Sequence, residues 1–151
     1  HAMAAGFTVE NSKLPKLLKQ LSDTHINPKL LKRTQRIDMG IPLTSLTWDL
    51  MTALARLEPF GLGNPKPTFS TPGVEISEVK PVGKEGKHFK LKVGDLDAIW
   101  FNATNSYLLT PNSFYDIIYQ IEINAFNNKT SLQLNIRDIM AHGSGIVPEG
   151  S

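Results

Sequence analysis

A stretch rich in proline and glycine limits the folds that the chain can adopt. Residues 57–69 read LEPFGLGNPKPTF and contain three prolines, two glycines and an asparagine. Proline fixes φ and removes a backbone donor, and glycine permits positive φ, so this stretch is neither a helix nor an interior strand. On composition it is an ordinary interdomain linker. It is equally compatible with a shaped loop that redirects the chain.

Before the proline-glycine stretch, the sequence predicts two helices. In residues 11–25, leucines recur at three- and four-residue spacing and lysines occupy the other side, which we interpret as a solvated face without a ligand. Residues 44–57 repeat the leucine pattern after a candidate cap, Thr44 or Ser45. We predict that Trp48 lies in the core.

After the stretch, the hydrophobic period changes to two, which predicts β-strands. We predict strands at residues 73–82, 87–93, 97–102, 114–126 and 130–140, and an earlier half-exposed strand at 31–39. In the fourth of the five, the odd-numbered residues from Tyr115 to Ile123 are apolar and are predicted to be core. Asn127 and Asn128 suit the left-handed conformations of a hairpin. Five short strands indicate a small barrel, either of the OB or of the SH3-like type.

Composition and charge narrow the classes of protein. The chain has 151 residues, of which 40% are hydrophobic and 20% charged, which is typical of a soluble globular protein with one core or two small ones. It has no cysteine, so it forms no disulfide framework or thiolate metal site, and we expect a cytoplasmic setting without membrane contact. The net charge of +2 is small, so a nucleic-acid site would require local clustering of Lys and Arg.

The sequence contains no motif for catalysis. The four histidines are scattered without metal-ligand spacing, and there is no paired-carboxylate motif, nucleophile elbow or phosphate-binding loop. We therefore expect no catalytic residue, metal ligand or cofactor in this chain, and no activity of the chain by itself.

The order of residues in the stretch, E-P-F-G-x-G-N-P-x-P-x-F, resembles the segment that leads into the C-terminal OB domain of the RecJ family. These are bacterial single-strand-specific DNA exonucleases of the DHH phosphoesterase superfamily. The matching residues are Glu58, Pro59, Phe60, Gly61, Gly63, Asn64, Pro65, Pro67 and Phe69. The later segments HFKLKV, DAIWFN, INAFNNK and SLQLNIRDI resemble further landmarks of that domain. HAMAAG, at the start, resembles the core of the DHHA1 signature, which would make His1 a phosphate or nucleotide contact.

The resemblance implies an α+β fold in which a small α/β remnant and connecting helices precede a five-stranded OB barrel. Residues 1–42 would belong to a DHHA1-like domain, 43–69 to a connecting helix and loop, 70–142 to the OB domain and 143–151 to a flexible tail. It also implies a parent enzyme that degrades single-stranded DNA from the 5′ end in DNA repair and recombination. That enzyme would use divalent metal, Mg²⁺ or Mn²⁺, at a centre absent from this chain.

OB folds bind ligands through their second and third strands and the adjoining loops. The DNA-binding residues implied here are Lys84, Lys87, His88, Lys90, Lys92, Trp100, Lys129 and Arg137. Trp100 would stack on bases if its face is open, and it would be structural if it is buried in the barrel. Arg137 either serves DNA or pairs with Glu122 across the hairpin.

We expect single-stranded DNA as the partner, and a single-strand-binding protein as a further one. Two other functions remain open. The OB domain could serve protein docking or structural support, in which case affinity would follow a peptide. It could also be an RNA-binding module like those of tRNA synthetases, in which case RNA would bind more tightly than DNA of equal length.

Overall fold

The computed structural model describes residues 6, 8–27, 34–83, 86–103 and 109–143. The chain divides into two compact units, His1–Gln35 and Arg36–Ser151. Within the described residues, no helix has the length and apolar character needed to cross a membrane.

Among its described residues, 6, 8–27 and 34–35, the first unit has the helix α1 (Leu14–Ser22), preceded by a 3₁₀ turn at Asn11–Lys13. Pro15 lies in its first turn, where the missing backbone donor is harmless. The helix is shorter than the predicted 11–25. The hydroxyls of Ser22 and Thr24 donate to the carbonyls of Lys19 and Gln20, and such side-chain bonds compete with helical ones.

The second unit begins with three short elements: β1 (Met39–Gly40), a 3₁₀ turn at Leu43–Ser45 and α2 (Trp48–Ala55). The prediction of a strand at residues 31–39 is wrong for residues 34–38, which are not part of a β-ladder. Residues 31–33 lie outside the described residues.

The predicted cap and core position of α2 are also wrong. Thr47 is the N-cap, with its hydroxyl accepting a hydrogen bond from the Leu50 amide at 3.2 Å. Trp48, predicted to be core, is 48% exposed. The helix begins later than predicted, and Leu50, Met51 and Leu54 are the residues of α2 that pack against the core.

The proline-glycine stretch forms a shaped loop that is held by internal hydrogen bonds. Gly61 and Asn64 exchange two backbone hydrogen bonds of 2.8 and 3.1 Å, which make a tight turn with Leu62 at its tip. The Asn64 side-chain amide donates to the carbonyls of Leu57, at 2.7 Å, and Pro59, at 3.1 Å. Asn64, which follows the turn, therefore connects to the chain on the other side of it.

Five strands follow the loop and close into a ring. They are β2 (Phe69–Val82), β3 (His88–Val93), β4 (Leu96–Trp100), β5 (Ser113–Phe126) and β6 (Lys129–Ala141). Hydrogen-bonded neighbours run in the order β2-β3-β4-β6-β5, and β5 pairs again with β2. β4 and β6 are parallel, the other pairs in the ring are antiparallel, and β1 adds a short parallel edge to β2. The predicted α+β fold with an OB-like set of five strands is confirmed.

The core lies inside this ring. The predicted inward residues Tyr115, Ile117, Tyr119 and Ile121 are buried, whereas Ile123 is exposed because β5 continues beyond the core. The Tyr119 hydroxyl lies 2.9 Å from the Thr71 hydroxyl, so its burial leaves no unpaired polar group. Burial raises the pKa of Tyr119.

β2 begins at Phe69 rather than at residue 73 because Gly73 lies in a bulge inside the strand. Its φ of +62° favours glycine, and a Cβ there would lie 3.1 Å from the His142 ring. The Gly73 amide donates to the buried carboxylate of Asp116 at 2.8 Å, and His142 Nδ1 lies 2.6 Å from the same oxygen. This contact connects the end of β6 to β2 and β5.

The Asp116 contact predicts a pH dependence of stability. Burial by itself would raise the pKa of Asp116, but the hydrogen bonds from His142 and Gly73 hold it below its ordinary value of 3.8. A carboxyl with a lowered pKa in the folded state stabilises the fold above its unfolded pKa, and this contribution is lost as the pH falls. Urea unfolding should show wild type losing stability more steeply than Asp116→Asn below about pH 4. Parallel curves for the two proteins would contradict this.

Candidate nucleic-acid interface

The strand register places the outward side chains of the barrel in rows that cross the strands. One row contains the cross-strand neighbours Lys80, Lys90, Ile99, Asn135 and Gln120. The next row contains Glu78, Lys92, Asp97, Gln133 and Glu122. These residues point away from the core because the alternating ones, among them Leu91, Ala98 and Leu134, lie in it. Ile99 and Asn135, in the middle of the first row, are nevertheless buried, each 8% exposed.

The two rows differ in charge. Three carboxylates and one lysine occupy the second row, which we call the acidic row, and Lys92 Nζ there lies 3.2 Å from Asp97 Oδ1. The first row holds two lysines and no carboxylate. Within the part of the chain that the structure describes, Lys90 forms no salt bridge, whereas Lys80 Nζ lies 2.6 Å from Glu78 Oε2. Their hydrogen bond lowers the pKa of Glu78 and raises the pKa of Lys80.

Arg137 extends the positive charge of the first row. It is the extra residue of a β-bulge in β6, because Tyr119 pairs with Ile136 and Ile118 pairs with Asp138. Its side chain is exposed, and its guanidinium donates to the side-chain oxygen of Gln120 at 2.5 Å. We call Lys80, Lys90 and Arg137 the basic row.

An exposed aromatic side chain follows β4, two residues after Ile99 of the first row. Phe101 is 51% exposed and contacts the edge of the His88 ring, with ring centroids 5.4 Å apart. His88 Nδ1 accepts a hydrogen bond from the Asn102 amide at 3.0 Å, so in the neutral ring the proton is on Nε2. The His88 ring also packs on Gly83, where a Cβ would lie 3.2 Å from it. This ring pair is therefore held in a defined orientation next to cations.

The structure brings together three of the predicted site residues, His88, Lys90 and Arg137. Lys87 is exposed just before β3, and Lys92 is paired with Asp97 in the acidic row. Lys129 begins β6 four residues before Gln133, which is about 13 Å along the strand from the acidic row. His1 and Lys84 lie outside the described residues.

The structure overturns Trp100 as a candidate base contact and excludes the alternative pair of Arg137 with Glu122. Trp100 is 4% exposed and belongs to the core, so it offers no face for base stacking. Arg137 bonds Gln120, whereas Glu122 accepts from the side-chain amide of Asn135 and pairs with Lys66 at 3.5 Å. The strand register explains the second result, because Glu122 lies opposite Gln133, four residues before Arg137 along β6.

Sequence reasoning missed Phe101, Lys80 and Gln120. β4 has only five residues, so its alternation alone does not decide which parity points inward. The cross-strand pairs do decide it, because Trp100 pairs with Phe89 and with the core residue Ile136. Lys80 has a signal in the sequence, since it alternates with Val79 in a predicted strand.

Asn135 is the one polar side chain of the described part that has a buried atom without a partner. It is 8% exposed, and its Oδ1 has no hydrogen-bond donor while its Nδ2 donates to Glu122 at 2.9 Å. Among the described residues, no three His, Cys, Asp or Glu side chains converge to hold a metal ion. This surface presents cations and an exposed aromatic ring, which are the types of group that can bind anions and flat apolar groups.

Comparisons with known proteins agree with this fold. A protein-family model described as the RecJ OB domain matches residues 37–138. A relative is the single-stranded-DNA-specific exonuclease RecJ of Bacillus subtilis (strain 168), 27% identical over 146 residues, which are 91% of this chain and 19% of the relative. The chain thus spans about a fifth of the length of that relative.

Two crystal structures of RecJ from Thermus thermophilus share the fold. The complex with Mn²⁺ superposes with a TM-score of 0.65 at 18% identity, over 91% of this chain and 21% of the other. The complex with Mg²⁺ gives a TM-score of 0.66 at 18% identity, over 91% and 22%. Because the family match covers most of the second unit, the chain belongs to the RecJ OB domain family.

Proposed function

We propose that this chain binds single-stranded DNA on the basic row and guides it toward the metal-dependent centre of a 5′-to-3′ exonuclease. That centre would lie in a part of the parent enzyme beyond these residues, with Mg²⁺ or Mn²⁺ activating water and stabilising the leaving oxygen. The role belongs to DNA repair and recombination in the cytoplasm.

The observation that carries the proposal is the adjacency of the basic row to the Phe101–His88 pair. Proteins that bind single strands without sequence preference combine cations along the backbone with aromatic faces for the bases. Here Lys90 and Arg137 lack carboxylate partners within the described residues, and Phe101 presents an open ring beside them. The name of the Bacillus subtilis relative supports the choice of single-stranded DNA.

The proposal predicts salt-dependent binding by the 151-residue chain. If the three cations of the basic row each neutralise a phosphate, the logarithm of the association constant should fall with the logarithm of salt with a slope of about −2. Fluorescence anisotropy of a labelled oligo-dT measures this slope. Duplex DNA and RNA of equal length serve as comparisons. Salt-independent binding contradicts a phosphate-based role, and tighter binding of RNA would favour an RNA-binding module.

A second candidate function is protein docking, and one concave feature favours it. A cavity of about 220 Å³ lies between α2, the proline-glycine loop and β5. Its lining residues are Met51, Leu54, Ala55, Glu58, Phe60, Lys66, Pro67, Phe69, Ile121, Glu122 and Ile123. Its size is below the roughly 300–1,000 Å³ of small-molecule sites and suits a peptide side chain. A tail peptide of a single-strand-binding protein that binds more tightly than oligo-dT would favour docking over DNA guidance.

A further inference from the structure

The side-chain amide of Gln120 connects the proline-glycine loop to Arg137. Its oxygen accepts from Arg137 Nη2 at 2.5 Å, and its nitrogen donates to the Lys66 carbonyl at 3.0 Å and the Thr68 hydroxyl at 3.1 Å. Arginine only donates and a backbone carbonyl only accepts, so the amide has one orientation that satisfies all its partners. Every polar atom of the Gln120 side chain is thus engaged.

The Gln120 contact orients Arg137 without neutralising it. Lys80 and Lys92 each face a carboxylate at 2.6 and 3.2 Å, which reduces the charge that they offer to a ligand. Gln120 is neutral, so Arg137 keeps its full charge. Its guanidinium has five N–H donors, and one bond to Gln120 leaves others for a phosphate.

An exposed arginine ordinarily loses side-chain entropy when it binds a phosphate. Arg137 is already tied on one side, and the bulge at this position directs it outward from β6. A side chain that is ordered before binding avoids part of that cost, which increases affinity. Gln120 is itself held in place by its hydrogen bonds to Lys66 and Thr68, which lie at the end of the loop where it enters β2.

We propose that Gln120 is a positioning residue that holds Arg137 in the orientation that grips a DNA phosphate. The inference rests on the proposed function and deepens it, because it assigns a residue that does not itself touch DNA. It also makes the loop part of the interface. A change in the position of Lys66 or Thr68 alters the placement of Arg137 through Gln120.

The test is a double-mutant cycle on the 151-residue chain with labelled oligo-dT. Arg137→Met should weaken binding about tenfold and reduce the salt slope by about 0.7, as expected for one lost phosphate contact. Gln120→Met keeps the side-chain length, removes the hydrogen bonds and should weaken binding about threefold. In the Arg137→Met background, Gln120→Met should change affinity by less than about 1.5-fold, because the residue through which it acts is gone.

Gln133→Met is the matched control. Gln133 lies in the acidic row, and the same substitution there should leave the affinity and salt slope of the wild type. Thr68→Val provides a second test of the Gln120–Arg137 hydrogen bond. It removes one anchor of the Gln120 amide and leaves Gln120 in place, and should weaken binding of the wild type about twofold but not of Arg137→Met. Melting temperatures of all variants show whether each remains folded.

The outcomes separate this inference from the proposed function. Suppose that the wild type binds oligo-dT in a salt-dependent manner and that Gln120→Met weakens binding equally in the wild type and in Arg137→Met. This result overturns the positioning role of Gln120 and leaves DNA binding intact. An Arg137→Met variant that binds oligo-dT like the wild type also overturns the positioning role. If the wild-type chain does not bind oligo-dT, both the proposed function and the positioning role fail.

Discussion

Trp100→Ala should lower the free energy of unfolding by about 4 kcal/mol, which is close to the whole stability of a small domain. Trp100 is 4% exposed and packs in the core between β3 and β6, where it pairs with Phe89 and Ile136. Removing the indole leaves a cavity that the closed ring cannot fill by collapse. Urea unfolding followed by circular dichroism measures the loss.

Phe101→Ala is the matched comparison for Trp100→Ala. The two residues are adjacent, but Phe101 is half exposed and lies beside His88 on the outer surface. Its substitution should change stability by less than about 1 kcal/mol and weaken oligo-dT binding by about 1 to 3 kcal/mol, the value of one stacked base. A large stability loss for Phe101→Ala, or unchanged DNA affinity, would contradict a stacking role for this ring.

The second large effect is expected from charge reversal in the basic row. Lys90→Glu combined with Arg137→Glu should weaken oligo-dT binding on the order of 100-fold at moderate salt, because two phosphate contacts are lost and replaced by repulsion. Each reversal subtracts two charges, so the net charge changes from +2 to −2. Fluorescence anisotropy over a salt series measures the loss, and high salt should reduce the difference from wild type.

Lys16→Glu combined with Lys19→Glu is the control for net charge. Both lysines are exposed on α1, and this double variant has the same net charge as the first. It should weaken binding only a few-fold, because it lowers the net charge and leaves the three cations of the basic row in place. Similar losses in the two double variants would mean that binding follows the overall charge of the chain and that the basic row is not a site.

Much of this fold could be predicted from the sequence because its signals are local. The change of period from helical to two follows from which side chains are apolar, and β5 and β6 were placed to within a residue for that reason. Asn127 and Asn128 do adopt positive φ, as a hairpin that contains them requires. The order of residues in the proline-glycine stretch also carried the family resemblance, which the match at residues 37–138 confirms.

The candidate site could be predicted only in part, because it depends on pairing between distant strands. The resemblance named His88, Lys90 and Arg137 as candidates, whereas the sequence left the face of Trp100 undecided. In a strand as short as β4, both the odd-numbered and the even-numbered residues include apolar ones, so the sequence does not show which set faces the core. Its neighbours β3 and β6 decide the direction.

The sequence by itself determined the strand pattern after the proline-glycine stretch and the clustering of lysines near β3, since each depends on neighbours along the chain. Only the tertiary structure decided which of those lysines pair with a carboxylate. Lys92 meets Asp97 and Lys90 meets Ile99 because β3 pairs with β4 in one register, and Arg137 meets Gln120 because β6 pairs with β5. Salt bridges and hydrogen bonds form only between atoms a few ångströms apart, and those distances are set by the closed ring of strands.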